Sequence, residues 1–295
     1  MLNFFMAGQP GYNYIPCMLF NTENPSSSVS SVKAAALLKD ASHEVVAGKH
    51  DQKIIFLCDH ASNLVPDHLD NLGLDEATFE RHIAYDIGAS ELTRGLAAHF
   101  GTPAVLSNFS RLLIDPNRGI DDPTLIMRLS DGAIIPENAQ LEETARGHRL
   151  ENFYHPYHQA ITDIIDQALS EELAPVLISI HSFTPAWKGH PRPWHAGILW
   201  DKDPRFAQPL ISELRNQDDI VVGDNQPYKG ALKGDCLHRH ATQRGLAHGL
   251  VEVRQDLICD DDGVAEWVDR LVSAIQKAMK AKDLHKIIHY GSHSD

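Results

Sequence analysis

Short apolar runs alternate with longer amphipathic segments from residue 53 onward. Short apolar runs are typical of buried strands, whereas apolar positions recurring every three to four residues are typical of helices that cover a sheet. Strands are predicted at 53–58, 104–107, 111–114, 175–180, 196–200, 219–222 and 249–253, and helices at 76–100, 138–170, 204–217 and 265–280. Strands that alternate with helices in this way predict an α/β fold.

The first fifty residues follow a different pattern. An opening rich in Gly, Pro and Asn is followed by the polar run NTENPSSSVSS, and then by one short predicted helix at 32–39. Polar, proline-containing segments of this kind are typical of peripheral chain. Residues 1–50 are therefore interpreted as a partly flexible extension, and residues 51–295 as a single domain.

Composition and charge narrow the classes of function. The chain has 295 residues and a formal net charge of −14, so a nucleic-acid or membrane-surface role is not expected. Its four cysteines form no C-x-x-C pair, and the N-terminus lacks the basic, uninterrupted apolar pattern of a signal peptide. We therefore expect a reducing, cytoplasmic setting. The 18 histidines draw attention to metal binding and proton transfer.

Polar side chains follow three of the predicted strands. His60 comes just after the run that ends at Cys58, His181 follows the run that ends at Ile180, and Glu252 lies within the run 249–253. In open α/β sheets, functional groups gather beyond the carboxyl ends of strands, so these side chains are expected to meet. His82 and Asp86 are a third element: they stand four residues apart and share one helix face if that segment is helical, and only one of them need be functional.

Two interpretations of this set remain open. A catalytic zinc ion typically takes three protein ligands from His and Asp or Glu, so His60, Asp86 and His181 would complete one site. Glu252 would then be free to move protons. Alternatively, the histidines are ordinary structural residues, since no compact metal motif such as H-E-x-x-H is present.

Two arginines flank the predicted strand 111–114. Arg111 begins it, and Arg118 lies in the Asp-Pro-Asn-Arg-Gly turn that follows it. The planar guanidinium suits bidentate capture of a carboxylate, so an anionic small substrate is one interpretation. Local ion pairs with acids such as Asp115 are the other. The candidate substrate-binding residues are Arg111, Asn117, Arg118, Arg254 and His158.

Several of these motifs, taken as a set, resemble the N-formylglutamate amidohydrolase family. They are Cys58-Asp-His-Ala-Ser-Asn, His82-Ile-Ala-Tyr-Asp86, Ser110-Arg-Leu-Leu-Ile-Asp-Pro-Asn-Arg-Gly119, His181-Ser-Phe-Thr-Pro, Val222-Gly-Asp-Asn-Gln-Pro-Tyr228 and Gly249-Leu-Val-Glu-Val-Arg-Gln-Asp-Leu257. The resemblance covers about residues 53–270. Two positions depart from the family pattern: Gln226 stands where Glu is expected, and His195 where an acidic or small residue is expected.

The resemblance implies a fold and a chemistry. The fold is a three-layer αβα sandwich with a mixed, mostly parallel sheet, similar to the zinc-dependent exopeptidases. It implies one zinc ion on His60, Asp86 and His181, with Glu252 as proton shuttle and Arg111 and Arg118 near the substrate carboxylates. We therefore expect zinc-dependent hydrolysis of the N-acyl amide of a small acidic amino acid, with N-formylglutamate as the leading candidate.

Two other functions are compatible with the same residues. One is a zinc peptidase that acts on short or cell-wall peptides, because the reacting amide is chemically the same. The other is a non-catalytic carboxylate-binding protein on this fold. The expected partner is a small anionic N-acyl amino acid, and the pattern carries no information about oligomeric state.

Overall fold

The computed structural model describes residues 41–295, which include a seven-stranded sheet. Its strands are β1 (His43–Val46), β2 (Ile54–Cys58), β3 (Ala104–Ser107), β4 (Val176–Phe183), β5 (Ala196–Leu199), β6 (Val222–Asp224) and β7 (His248–Arg254). Two short hairpins lie outside this sheet and pair 129–130 with 133–134, and 186–187 with 190–191.

The sheet is mixed and mostly parallel. Its strand order is β1-β3-β2-β4-β7-β5-β6. The pairs β3/β2, β2/β4, β4/β7 and β5/β6 are parallel, whereas β1/β3 and β7/β5 are antiparallel. The central strands β2 and β4 are buried along their whole length, as expected for strands covered on both faces.

Helices cover both faces of the sheet. The helices are α1 (Glu76–Phe79), α2 (Ala89–Phe100), α3 (Pro136–Ala139), α4 (Glu143–Arg149), α5 (His155–Ser170), α6 (Ala207–Arg215), α7 (Cys236–His240) and α8 (Asp261–Ala278). Alternate residues of β2 enter two separate cores: Phe56 packs with α2, α6 and α8, whereas Leu57 packs with α5 and α7. The predicted three-layer αβα fold is confirmed.

Three predicted elements differ from the structure. The helix predicted over 76–100 is two helices, α1 and α2, and residues 82–86 between them form turns. The helix predicted over 138–170 is divided among α3, α4, a five-residue π-helical segment (Leu150–Tyr154) and α5. Residues 111–114 form a turn rather than a strand, although Leu112, Leu113 and Ile114 are fully buried. Because these three side chains are buried, the segment is apolar, and this apolar run led to the incorrect prediction of a strand.

Part of the stretch interpreted as an extension lies in the sheet. Strand β1, His43–Val46, pairs with β3 at one edge, so the sheet begins before residue 51. The helix predicted at 32–39 lies outside the described residues, and the division at residue 50 stays a prediction. Across residues 41–295, no helix combines the length and the apolar character needed to cross a membrane.

Candidate active site

Strand alternation brings the predicted site residues to one face of the sheet. In β4, Ile178 and Ile180 enter the core beneath α2, so His181 faces the opposite layer, which contains α5. In β7, Val251 and Val253 do the same, and Glu252 faces the α5 layer. Glu252 pairs in register with His181, so the two side chains lie side by side near the carboxyl ends of parallel strands.

Three side chains converge at this edge. The Nδ1 atom of His181 lies 2.8 Å from Asp86 Oδ2, and the Nδ1 atom of His60 lies 3.4 Å from the same oxygen. One ligand atom from each residue lies within 4.8 Å of the other two, and all three side chains are buried. Asp86 lies in the non-helical stretch between α1 and α2 and not on the helix that was predicted for this segment. Its backbone N–H donates to the carbonyl of His60 at 2.9 Å, which holds the two residues together.

Each of the two imidazoles is hydrogen-bonded through its Nε2 atom to one further carboxylate. His60 donates from Nε2 to Asp115 Oδ1 at 2.7 Å, and His181 donates from Nε2 to Asp59 Oδ2 at 3.0 Å. Carboxylates in this position fix the tautomer of a metal-binding histidine and raise its basicity. Two anchored Nδ1 atoms and one carboxylate oxygen therefore form a donor set that fits zinc. Neither Asp59 nor Asp115 was predicted from the sequence to have this role.

The buried charges in this cluster perturb one another. Burial disfavours the His181 imidazolium, but its hydrogen bonds to Asp59 and Asp86 outweigh this effect and raise the pKa of His181 to about 10. Burial also opposes ionisation of Asp86, yet the adjacent His60 and His181 hold the pKa of Asp86 well below its usual range. Without a cation, a proton on His181 thus balances part of the negative charge.

Glu252 differs from Asp86, because its surroundings raise its pKa and do not lower it. It is 6% exposed, and its Oε2 atom has no hydrogen-bond partner among the described residues. Burial raises the pKa of Glu252 to about 7; His181 lowers it and Asp86 raises it further. A carboxyl group with a pKa near neutrality can both accept and donate a proton under ordinary conditions, which suits general acid–base chemistry.

The two predicted arginines have different environments. Arg111 donates to Asp115 Oδ2 at 2.9 Å, and its second terminal nitrogen lies 3.5 Å from Asp86 Oδ1. Its guanidinium thus pairs with two buried acids, Asp115 and Asp86, while its buried Nε has no partner within residues 41–295. Arg118 donates to the carbonyl of Asn117 at 2.8 Å and to Thr124 at 3.2 Å. The side-chain oxygen of Asn117 accepts from the backbone N–H of Cys236.

A cavity of about 280 Å³, which we call the catalytic pocket, joins these groups. Its walls include His60, Asp86, His181 and Glu252, together with the basic side chains Arg111, Arg118 and Lys229 and the histidines His82 and His238. Trp187, Trp200 and Tyr228 also line it. Tyr228 stands in one of the motifs of the family resemblance, whereas Lys229 and the two tryptophans were not among the predicted site residues.

Two predicted substrate-binding residues lie elsewhere. Arg254 does not line the catalytic pocket; it pairs with Asp256, with Nε 2.7 Å from Oδ1. His158 lies on α5 and shares a 2.8 Å hydrogen bond with His240. Neither position that departs from the family pattern lines the pocket: Gln226 is exposed, and His195 accepts from the backbone N–H of Val221.

Comparisons with known proteins identify the family of the chain. The sequence matches the model of the N-formylglutamate amidohydrolase family over residues 52–259. No curated protein matches it at a significant level. Among solved structures, it is similar to the gene product Atu2144 from Agrobacterium tumefaciens, with 30% identity and a TM-score of 0.77 over 82% of this chain and 96% of the other.

A second similar structure is an N-formylglutamate amidohydrolase from Ralstonia eutropha JMP134. It shares 19% identity with a TM-score of 0.61, over 80% of this chain and 96% of that one. The family match spans β2 to β7 and includes every residue of the catalytic pocket. The resemblance found in the sequence is confirmed: the chain belongs to the N-formylglutamate amidohydrolase family of hydrolases, which act on amide bonds.

Proposed function

We propose that this protein hydrolyses the N-acyl amide of a small acidic amino acid, with one zinc ion bound by His60, Asp86 and His181. N-formylglutamate, which would give formate and glutamate, is the leading candidate. The observation that carries the proposal is the meeting of three anchored donor atoms with an unpaired, buried Glu252 in one pocket.

The donor set supports zinc as the ion. Both candidate histidines present Nδ1 to the shared space, while Asp115 and Asp59 accept from Nε2. A zinc ion bound there supplies Lewis-acid chemistry, which polarises an amide carbonyl and makes water more acidic. Three protein ligands leave room for water or substrate, as in other catalytic zinc sites.

Glu252 is the proton carrier in this proposal. Its carboxylate takes a proton from the attacking water, a C–O bond forms at the acyl carbon, and the same carboxyl returns the proton to the amide nitrogen as the C–N bond breaks. A pKa of about 7 suits both transfers, since neither protonation state is strongly favoured. Burial beside His181 keeps this carboxyl at the reacting centre.

The cations of the pocket support an acidic substrate. Arg118 and Lys229 line the cavity, and no ion pair of either side chain is found within the described part of the chain. Guanidinium and ammonium groups are well suited to binding carboxylates. The buried Nε of Arg111 offers one further donor close to the metal-binding acids.

The size of the pocket favours an amino-acid derivative over a peptide. At about 280 Å³ it lies near the lower limit of small-ligand sites, which extend from roughly 300 to 1,000 Å³. A peptidase acting on longer chains needs a groove that continues past the reacting centre. The cytoplasmic location expected from the sequence stays a prediction.

A substrate panel tests the proposal. Zinc-loaded protein is offered N-formyl-L-glutamate, N-acetyl-L-glutamate, N-formyl-L-leucine and dipeptides, and release of the free amine is measured. We expect the acidic N-acyl amino acids to be hydrolysed with the highest kcat/KM, and Glu252→Gln to lower the activity on every substrate. A preference for dipeptides, or equal rates on acidic and neutral derivatives, would contradict the assignment.

A further inference from the structure

A second group of metal-binding side chains lies between α5 and α7, apart from the three proposed zinc ligands. Cys236 and His240 stand four residues apart on α7, so they project from the same face of the helix. His158 comes from α5, which contacts α7. All three side chains are at most 4% exposed. One ligand atom from each lies within 4.8 Å of the other two.

The two histidines of this group are already in direct contact. His158 Nδ1 and His240 Nε2 are 2.8 Å apart, and the rings stack with centroids 5.1 Å apart. Nitrogen ligands about 2.0 Å from a tetrahedral ion lie about 3.3 Å from each other. The rings therefore need to separate by only about half an ångström for an ion to replace the shared proton.

The charges around the cluster are mixed. Arg239 and Arg244 lower the pKa of His240 and so oppose a cation, although Arg239 stacks on Tyr154 and Arg244 pairs with Asp166. The thiol of Cys236 interacts with the buried carboxylate of Asp59. This acid lies beside the cluster and contributes negative charge to it.

The cluster also adjoins solvent. A second cavity, of about 370 Å³, is lined by His155, His158, Gln159, Thr162, Arg239, His240 and Arg244. An ion can enter through this cavity, and a water or small anion from it can complete the coordination. Two imidazoles, one thiolate and one exchangeable ligand are a common set for zinc and other thiophilic divalent ions.

We propose that His158, Cys236 and His240 form a second metal site, which binds a thiophilic divalent ion such as zinc. Binding converts the Cys236 thiol to a thiolate and releases its proton to solvent, since a coordinating thiol is deprotonated. The site is connected to the catalytic pocket through Asp59, whose other contacts include Tyr157 and His181. It fixes the contact between α5 and α7 behind the pocket, and it does not depend on the proposed function.

Cobalt substitution tests this site without relying on activity. Full-length protein is freed of metal and titrated with Co²⁺, and the near-ultraviolet thiolate-to-cobalt charge-transfer band is recorded with the bound stoichiometry. The proposed catalytic ligands contain no sulfur, so the band reports only a cysteine site. We expect two Co²⁺ ions per chain and a clear band in the wild type, and one ion without the band in Cys236→Ser.

Matched variants separate the two sites. Cys259→Ser, which changes a half-exposed cysteine away from both sites, should keep the band and both ions. His240→Gln should lose the band, and circular dichroism checks that each variant is folded. His181→Ala should lose the other ion and keep the band, so a failure of the proposed catalytic zinc is recognised separately. The absence of a band in the wild type, or its persistence in Cys236→Ser and His240→Gln, would overturn the second site.

Discussion

The outer carboxylate Asp115 offers a sharp test of how the catalytic pocket positions the proposed metal ligands. Its Oδ1 accepts from His60 Nε2 at 2.7 Å and from the backbone N–H of Asn117 at 2.9 Å, while Oδ2 accepts from Arg111 at 2.9 Å. In Asp115→Asn, the amide oxygen can still accept from His60, but the amide nitrogen then faces the guanidinium, donor against donor. We expect the ring of His60 to lose both its fixed orientation and the basicity that the negative charge confers.

Losing a carboxylate behind a metal-binding histidine weakens metal affinity about 10-fold to 100-fold, which is about 1.4–2.8 kcal/mol. We expect the upper part of this range, because Asp115 is fully buried and its charge is little screened. Zinc affinity is measured by competition with a chromophoric chelator, for wild type, Asp115→Asn and the surface control Asp269→Asn, which changes an exposed residue of α8. Unchanged affinity in a folded Asp115→Asn protein would refute the idea that the outer carboxylates prepare this site.

Four other predictions address Glu252, Arg118 and His181. Glu252→Gln should retain zinc but lower kcat by about 10²–10⁴, the usual scale for loss of a general acid–base group, and loss of zinc instead would reassign Glu252 as a ligand. In the wild type, kcat/KM should rise with pH until Glu252 ionises, with the midpoint at or below its metal-free value of about 7, because bound zinc favours the carboxylate. Arg118→Gln should lower kcat/KM about 10-fold for acidic substrates and much less for neutral ones, whereas equal losses on both would show that Arg118 does not bind the carboxylate. The pKa of His181 is raised to about 10 in the metal-free protein, so zinc binding at pH 7 should release a proton and zinc affinity should rise with pH. Calorimetry in buffers of different ionisation enthalpy measures this release, and a value of zero would contradict the buried charge pairing of His181 with Asp59 and Asp86.

The same raised pKa has a consequence for the stability of the metal-free protein. Because the pKa of His181 is higher in the folded state than the usual 6.5 of an unfolded chain, its pairing contributes stability that is fully present below about pH 6.5. That contribution is lost as the pH rises through about 10. Zinc removes this dependence, since the bound ring is neutral throughout.

Much of the fold could be predicted from the sequence because the central strands are buried on both faces. Continuous apolar runs such as Ile54–Cys58 have few other interpretations, and their ends identified His60 and His181. The run at 111–114 misled because burial alone produces an apolar pattern: Leu112 and Leu113 enter the core from a turn. Periodicity cannot separate a buried turn from a short strand.

The partners of the site residues were beyond the reach of local patterns. His181 meets Asp59 across 122 positions of sequence, and His60 meets Asp115 across 55. These contacts depend on the strand order β3-β2-β4-β7, in which strands distant along the chain become neighbours. Asp115 was predicted only as a possible ion-pair partner of Arg111 or Arg118, and it contacts both His60 and Arg111. His158 was predicted to bind substrate, but in the structure its side chain contacts His240.

Zinc titration of metal-free protein, with hydrolysis of N-formyl-L-glutamate as the readout, tests the central claim most directly. The account predicts no formate release without metal, and activity that returns with the ion bound by His60, Asp86 and His181. In Cys236→Ser, which should bind only that ion, activity should reach its maximum at one zinc ion per chain. Undiminished hydrolysis by rigorously metal-free protein, or fully zinc-loaded protein that leaves every acidic N-acyl amino acid intact, would contradict it.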